Sequence, residues 1–234
     1  MIIHRLIAHH LKNGDDTRFY EMQAQDAIQW MKSRGVKMNT DIRVLDLGGG
    51  HGVFGGELEK SGCQVDYADI ECSLIPERAN APFTAINLDL DDYDTLGQHE
   101  LIVCSNVFEH LANPRNFVKK LPALLQPGGC LYLSWTNWLS PWGGHDFSPF
   151  HYLGPCLGPK VFDQIVGKPR IHYPFKTLYP TYIGKTLEWI RETSQLGVEA
   201  CVPRYYNELS FLTKIPVFRE FWTWNTAMLI RRNP

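Results

Sequence analysis

The sequence predicts an α/β fold with a doubly wound, mostly parallel seven-stranded sheet, and three observations point to it. Short apolar runs of strand length alternate with segments of helical periodicity, a pattern that requires crossover connections and therefore parallel strands. One run, Val44-Leu45-Asp46-Leu47, leads straight into Gly48-Gly49-Gly50-His51-Gly52, where a strand too short to be a helix meets a turn nearly free of side chains. A further apolar run, Cys130 to Trp135, is preceded by the turn Pro127-Gly128-Gly129. At 234 residues, the chain has room for one full α/β core with an insertion.

The elements follow in order. Met1 to Leu11 is broken by His4, Arg5, His9 and His10, which suits a short amphipathic helix packed on the domain rather than a signal-type core. Arg18 to Arg34 carries a broken apolar stripe (Phe19, Met22, Ala27, Trp30, Met31) and stops at Gly35, as a helix does. Strand Arg43 to Leu47, helix Val53 to Lys60, and strand Gln64 to Ile70 form a strand-helix-strand unit. A third strand, Phe83 to Leu88, ends at Asp89, and a fourth, Glu100 to Ser105, follows the acidic loop Asp91 to Asp94. Helix Arg115 to Leu125 contains Pro122, which is expected to tighten it or end it early. The fifth strand is Cys130 to Trp135. Beyond it lies a long aromatic loop, then a helix (Pro159 to Val166), a Pro-rich connector (Lys168 to Tyr182) and a helix (Ile183 to Leu196). Val198 to Val202 and Phe221 to Ile230 complete the sheet. The chain therefore reads as a single domain: a helical cap (1–40), a core (41–135), a lid insertion (136–196) and two last strands (197–234).

Composition narrows the function. A net charge of -2 gives no global attraction for nucleic acid. The six cysteines include no C-x-x-C pair, which favours a reduced, cytoplasmic protein over a disulfide scaffold, and no apolar run is long enough for stable membrane insertion. The glycine turn suits a ligand with a sugar and a flat base. Two such ligands are open at this point, because Gly50-His51-Gly52-Val53-Phe54-Gly55 also spells the G-x-G-x-x-G dinucleotide fingerprint.

Four segments taken together resemble the class I S-adenosylmethionine-dependent methyltransferases of the broad group described as type 11. These are Val44 to Gly52 with Asp46, Gly48, Gly50 and Gly52; an acid, Asp69, at the end of strand two; Cys104-Ser105-Asn106-Val107-Phe108-Glu109-His110-Leu111; and Leu125-Gln126-Pro127-Gly128-Gly129. The resemblance implies a Rossmann-like fold and S-adenosylmethionine as cofactor. It also implies that the glycines admit the cofactor's amino-acid arm, that Asp46 helps to hold the loop and the ammonium, and that Asp69 accepts from the ribose hydroxyls about 20 residues beyond the turn. Asp89 would sit beside the adenine amine, with Ile70, Leu90, Ser105 and Asn106 completing the site and Tyr20 closing over the sulfonium. Gly49 stands where a cysteine or serine is common, a mild departure. The NAD-dependent oxidoreductase reading is weaker, because an acid precedes the first glycine and the strand-four and Leu-Gln-Pro-Gly-Gly segments have no role in hydride transfer.

Acceptor chemistry is read from what remains. Ser105-Asn106-Val107-Phe108 is not the Asp/Asn-Pro-Pro-aromatic segment of base amino-methyltransferases, and Pro155-Cys156 lies after strand five rather than strand four, so nucleic acid is not the expected substrate. The aromatic segment Trp138 to Tyr152 leaves the cofactor end of the sheet and suits a small molecule, a sugar or a lipid-linked glycan. His145 or His151 within it is the expected general base for an acceptor hydroxyl, and His110 is expected to pack at the start of its helix. A metal held by His145, Asp146 and His151 is the sharper alternative, but no compact ligand signature supports it and no metal is expected. A non-catalytic cofactor-binding partner protein is the other reading of the same motifs, and the oligomeric state is left open.

Overall fold

Five parallel strands and an antiparallel pair build the sheet in a computed structural model that describes residues 1–13 and 16–234. Strand β1 (Arg43–Leu47) is central, with β2 (Gln64–Asp69) on one side and β4 (His99–Ser105) on the other. Val44, Leu45 and Leu47 are fully buried, as both-face coverage of a parallel sheet requires. β3 (Phe83–Ala85) lies outside β2, and β5 (Leu125–Thr136) pairs with β4. β7 (Asn225–Arg232) runs antiparallel between β5 and the edge strand β6 (Leu196–Pro203), giving the order β3-β2-β1-β4-β5-β7-β6. The chain reverses its winding between β1 and β4, so a crevice opens at their carboxyl ends.

Helices cover both faces. Helices α2 (Asp16–Ser33) and α3 (Val53–Glu59) bury Met31 and Leu58 against one face with Tyr67 and Tyr132. Helices α4 (Pro114–Leu124) and α6 (Ile183–Glu192) bury Phe117, Leu121 and Ile190 against the other with Phe108 and Trp135. The amino-terminal helix α1 (Ile3–Asn13) docks through Ile2 and Leu6 on Met22, as its amphipathic pattern predicts. Between β5 and α6, the insertion holds helix α5 (Gly154–Val166) and a small core of its own, in which Trp138 and Phe147 pack with Phe162 and Leu178. All six cysteines are free thiols, and no helix of the described residues is long and apolar enough to cross a membrane.

Several expected boundaries move, each for a local reason. β3 ends at Ala85 rather than Leu88 because the Asn87 side chain accepts from Asp89 N at 3.0 Å and its carbonyl from Asp91 N at 2.9 Å, which turns the chain. β5 begins at Leu125, and Pro127-Gly128-Gly129 is an irregularity within it: the register jumps from His99↔Leu125 to Leu101↔Cys130. α4 runs two residues past Pro122, which is buried in its last turn, so the helix ends soon after the proline at the cost of the one bond to the Val118 carbonyl. α5 starts at Gly154 rather than Pro159 because Pro155 suits a helical first turn. α6 stops at Glu192, four residues before the expected Leu196. The Thr193 hydroxyl donates to the Trp189 carbonyl at 3.0 Å and its backbone leaves the helix. Phe221 and Trp222 belong to the short helix α7 (Phe218–Trp222), so β7 begins at Asn225.

Phe117 sits between Phe108 and Tyr93, at ring-centroid distances of 5.8 and 6.4 Å. Phe117→Ala is expected to lower unfolding free energy by about 3–5 kcal/mol in urea denaturation. A loss under about 1 kcal/mol would show that this face of the sheet does not carry the core.

Candidate active site

The glycine turn is shaped by what surrounds it. Gly48 has φ +74°, and a Cβ there would run into the Val107 side chain just past β4. Gly50, at φ +51°, has open space where a Cβ would point. Two acids brace the turn: Asp46 Oδ2 accepts from Gly55 N at 2.8 Å in the first turn of α3, and Asp69 Oδ2 accepts from Gly50 N at 2.9 Å. Asp46 is 2% exposed, and its burial pushes the carboxyl up to about 7, against the Gly55 amide that favours the charged form.

Above the turn lies a cavity of about 700 Å³, ample for a nucleoside carrying an amino-acid arm. Of the expected cofactor residues, Tyr20, Asp46, Gly48, Gly50, Ser105 and Asn106 line it. Gly52 instead caps α3 and packs beside Leu74 and Tyr67. Asp69 meets the cavity through Gly50, and its other oxygen accepts from Ile70 N at 2.7 Å. Ile70 and Leu90 stand 66% and 80% exposed near the carboxyl ends of β2 and β3. Asp89 departs from expectation: its oxygens accept from Ala112 N and Asn113 N at 2.9 and 2.8 Å, so the carboxylate anchors the loop before α4.

Sequence reasoning missed Gln23 and Arg204 in the cavity wall. Arg204 follows β6, and its Nη1 donates to Asn106 Oδ1 (3.2 Å) and Ser134 Oγ (3.1 Å). Its Nε and Gln23 Oε1 are buried without a partner. The guanidinium also lies 5.9 Å from the centre of the Tyr132 ring and feels the Asp26 carboxylate, yet its unpartnered Nε leaves it able to take a further anionic oxygen. No local pattern marks it.

A second cluster forms where the insertion meets the end of β4. His145, in a 3₁₀ turn (His145–Phe147) with φ +50°, lies beside His110 and His172, at ring-centroid distances of 5.5 and 4.6 Å. His145 Nε2 is 3.9 Å from Glu109 Oε1. Burial, reinforced by the two neighbouring imidazoles, pushes His145 down to about 3, so it is neutral at ordinary pH. Glu109 is 1% exposed; burial raises its pKa, one oxygen accepts from Thr136 N at 2.8 Å, and the other has no partner.

His151, the other expected base, is separated from this cluster. It is 1% exposed in the insertion's interior, its ring next to Trp138 and Tyr152, with Nε2 2.9 Å from the Ser140 carbonyl. That burial puts His151 inside the insertion and not on the cavity wall, which departs from the expected place of a base. The trio His145, Asp146 and His151 does not assemble either, since Asp146 faces His172 at 3.0 Å. His110 carried a signal as a motif residue, whereas His172 lay unmarked in the Pro-rich connector.

The fold and this site define a methyltransferase, and the comparisons agree. The sequence profile of the family described as "Methyltransferase domain" matches residues 17–200, and the chain belongs to that family. It is 30% identical to an uncharacterized methyltransferase of Mycolicibacterium gilvum, across 97% of this chain and 92% of the relative. Its fold is shared by an S-adenosylmethionine-dependent methyltransferase of Mesorhizobium loti, with a TM-score of 0.59 at 15% identity over 87% of this chain and 97% of that one. It is also shared by the magnesium protoporphyrin IX methyltransferase of Synechocystis PCC 6803, solved with bound SAH, with a TM-score of 0.55 at 15% identity over 92% and 84%. The protein is thus a class I, S-adenosylmethionine-dependent methyltransferase.

Because the folded Asp46 carboxyl lies near 7 against an ordinary 3.8, it contributes stability that is complete below about pH 4 and lost as pH rises through 7. The full difference is of the order of 4 kcal/mol. Urea denaturation from pH 4.5 to 8 should show Asp46→Asn gaining on the wild type as pH rises; parallel curves would exclude a raised Asp46.

Proposed function

We propose that the protein transfers the methyl group of S-adenosylmethionine to a hydroxyl oxygen of a small molecule, a sugar or a lipid-linked glycan. The observation that carries this reading is the hydrogen-bonded link between the cavity wall and the Glu109 carboxylate. Asn106, in the cavity wall, accepts from Asn225 Nδ2 at 2.9 Å; Asn225 Nδ2 also reaches Thr136 Oγ1 at 3.4 Å, and the Thr136 amide bonds Glu109 beside His145. A continuous polar wall thus leads from the cofactor side to a buried carboxylate.

The cavity suits the cofactor by its own chemistry. Asp46 and Arg204 offer opposite charges for an ammonium and a carboxylate, and Gln23 Oε1 is a buried acceptor awaiting a donor. The open space over Gly50 lets the amino-acid arm approach the backbone. When bound, S-adenosylmethionine would supply an electrophilic methyl carbon, with the neutral thioether as the leaving group in an in-line displacement. The chain's work is to align the acceptor, exclude water and take the acceptor's proton.

For that proton the structure favours a revision of the sequence reading. An imidazole with a pKa of about 3 is a weak base, so in this reading His145 receives the hydroxyl as a hydrogen-bond acceptor and Glu109, whose proton affinity burial has raised, takes the proton. Exposed rings of the insertion, Trp142 stacked on Trp224 at 5.1 Å and Tyr152, are of the kind that suit the apolar face of a sugar. The free thiols support a cytoplasmic setting.

Calorimetric titration of S-adenosylhomocysteine is expected to give micromolar binding, weakened at least tenfold by Arg204→Met, with no response to NAD. Binding of NAD alone would overturn the cofactor assignment. In a screen of hydroxylated ring compounds and glycans with labelled cofactor, Glu109→Gln is expected to cut turnover about 100-fold or more while S-adenosylhomocysteine affinity stays within threefold. Label on no hydroxyl acceptor would sink the acceptor reading, and tight binding without any turnover would make the chain a non-catalytic partner.

A further inference from the structure

We propose that His110, His145 and His172 form a binding site for a divalent transition-metal cation of the zinc type, with Asp146 and the Thr177 carbonyl orienting two of the rings. The three imidazoles come from separate parts of the chain: the turn after β4, the start of the insertion and the connector after α5. One ring nitrogen from each lies within 4.8 Å of the others. Ligands on a tetrahedral ion with metal–nitrogen bonds near 2.1 Å stand about 3.4 Å apart, so shifts of under about 1 Å per ring close the site.

The surroundings of the rings are those of ligands. His110 Nδ1 lies 2.5 Å from the Thr177 carbonyl, which can only accept, so Nδ1 carries the proton and Nε2 the lone pair. His172 Nδ1 lies 3.0 Å from Asp146 Oδ1, and that carboxylate is itself held by the Ile171 amide at 2.6 Å. A carbonyl or carboxylate behind the non-ligating nitrogen is how metal-binding histidines are oriented and their tautomer set. His145 Nε2, at 3.9 Å from Glu109 Oε1, is beyond hydrogen-bond distance, and Glu109 Oε2 is buried without a partner. Without an ion, the cluster crowds three imidazoles together with no bond between them to offset the cost.

Three imidazole nitrogens select zinc, cobalt or nickel over magnesium and calcium, which want oxygen ligands. They also leave a position open for water or an acceptor oxygen. If the acceptor binds at this face, as the functional reading holds, a bound ion would take over the place of the hydrogen bond to His145 and would lower the acceptor hydroxyl's pKa, with Glu109 still beside it to take the proton. The metal site itself does not depend on that reading.

The test uses the untagged full-length chain, stripped with chelator and titrated with Zn²⁺ or Mg²⁺ by calorimetry and with Co²⁺ by visible absorption. One Zn²⁺ per chain at micromolar affinity or better is expected, with intense Co²⁺ bands of a four- or five-coordinate site and no Mg²⁺ response. His110→Gln and His172→Gln should each weaken Zn²⁺ binding at least 100-fold, and Asp146→Asn about tenfold, with S-adenosylhomocysteine binding retained as the check on folding. A wild type that takes up no stoichiometric Zn²⁺ would overturn the proposal, as would binding that survives His172→Gln, which would place the ion elsewhere, for instance on the histidines of α1. No methyl acceptor enters these measurements, so they can fail while the functional reading stands, and the reverse.

Discussion

The hydrogen bond from the Gly55 amide to the buried Asp46 carboxylate is the contact on which the site depends. It ties the end of β1 to the first turn of α3 at 2.8 Å, and so sets how tightly the glycine turn between them is drawn. A Cβ on Gly49 would stand 3.0 Å from the Asp46 carboxyl carbon, so the acid also dictates the size of the residue above it. The helix start favours a negative charge there while burial resists it, and the conflict shows in a carboxyl pushed up to about 7. An apolar residue of the same size would leave the Gly55 amide without its partner, the turn unbraced and the cavity without its acid.

From that turn outward, the structure separates two kinds of work. The strand ends supply a rigid polar wall: Ser105 at the end of β4 and Asn106 after it, Ser134 and Thr136 in β5, Arg204 after β6 and Asn225 in β7 meet in one hydrogen-bonded group. Rigid elements hold such groups in register more precisely than loops can. The insertion supplies what varies. It closes around Trp138, Phe147, Phe162 and Leu178, and this separate core lets it present His145, Asp146 and His172 at the edge of the sheet without borrowing packing from the main core.

Shared architecture and individual chemistry divide along the same line. The solved methyltransferases that share the fold do so at 15% identity, a level at which the sheet and its crevice persist while acceptor groups diverge. Two histidines of the three-histidine cluster belong to the insertion, and the third, His110, belongs to the strand-four segment. The cluster therefore sits at the seam between the common scaffold and the part specific to this chain.

What the sequence by itself determined was whatever depends on neighbours a few residues apart: the apolar runs that became β1, β2 and β4, the glycine turn after Asp46, the acid at the end of β2 and the amphipathic helices. Hydrophobic periodicity and turn chemistry are local, and they read directly. The tertiary structure decided what depends on residues far apart in the chain. It shortened β3 through the turn at Asn87, ended α6 early at Thr193, turned Asp89 towards Ala112 and Asn113, and buried His151 in the insertion while placing His145 against Glu109. It also brought Arg204 to Asn106 across 98 positions and gathered His110 of the strand-four segment with His172 of the insertion. Such groups have no mark in the linear chain, because the low dielectric and fixed geometry that give them their chemistry exist only once the sheet and insertion have folded together.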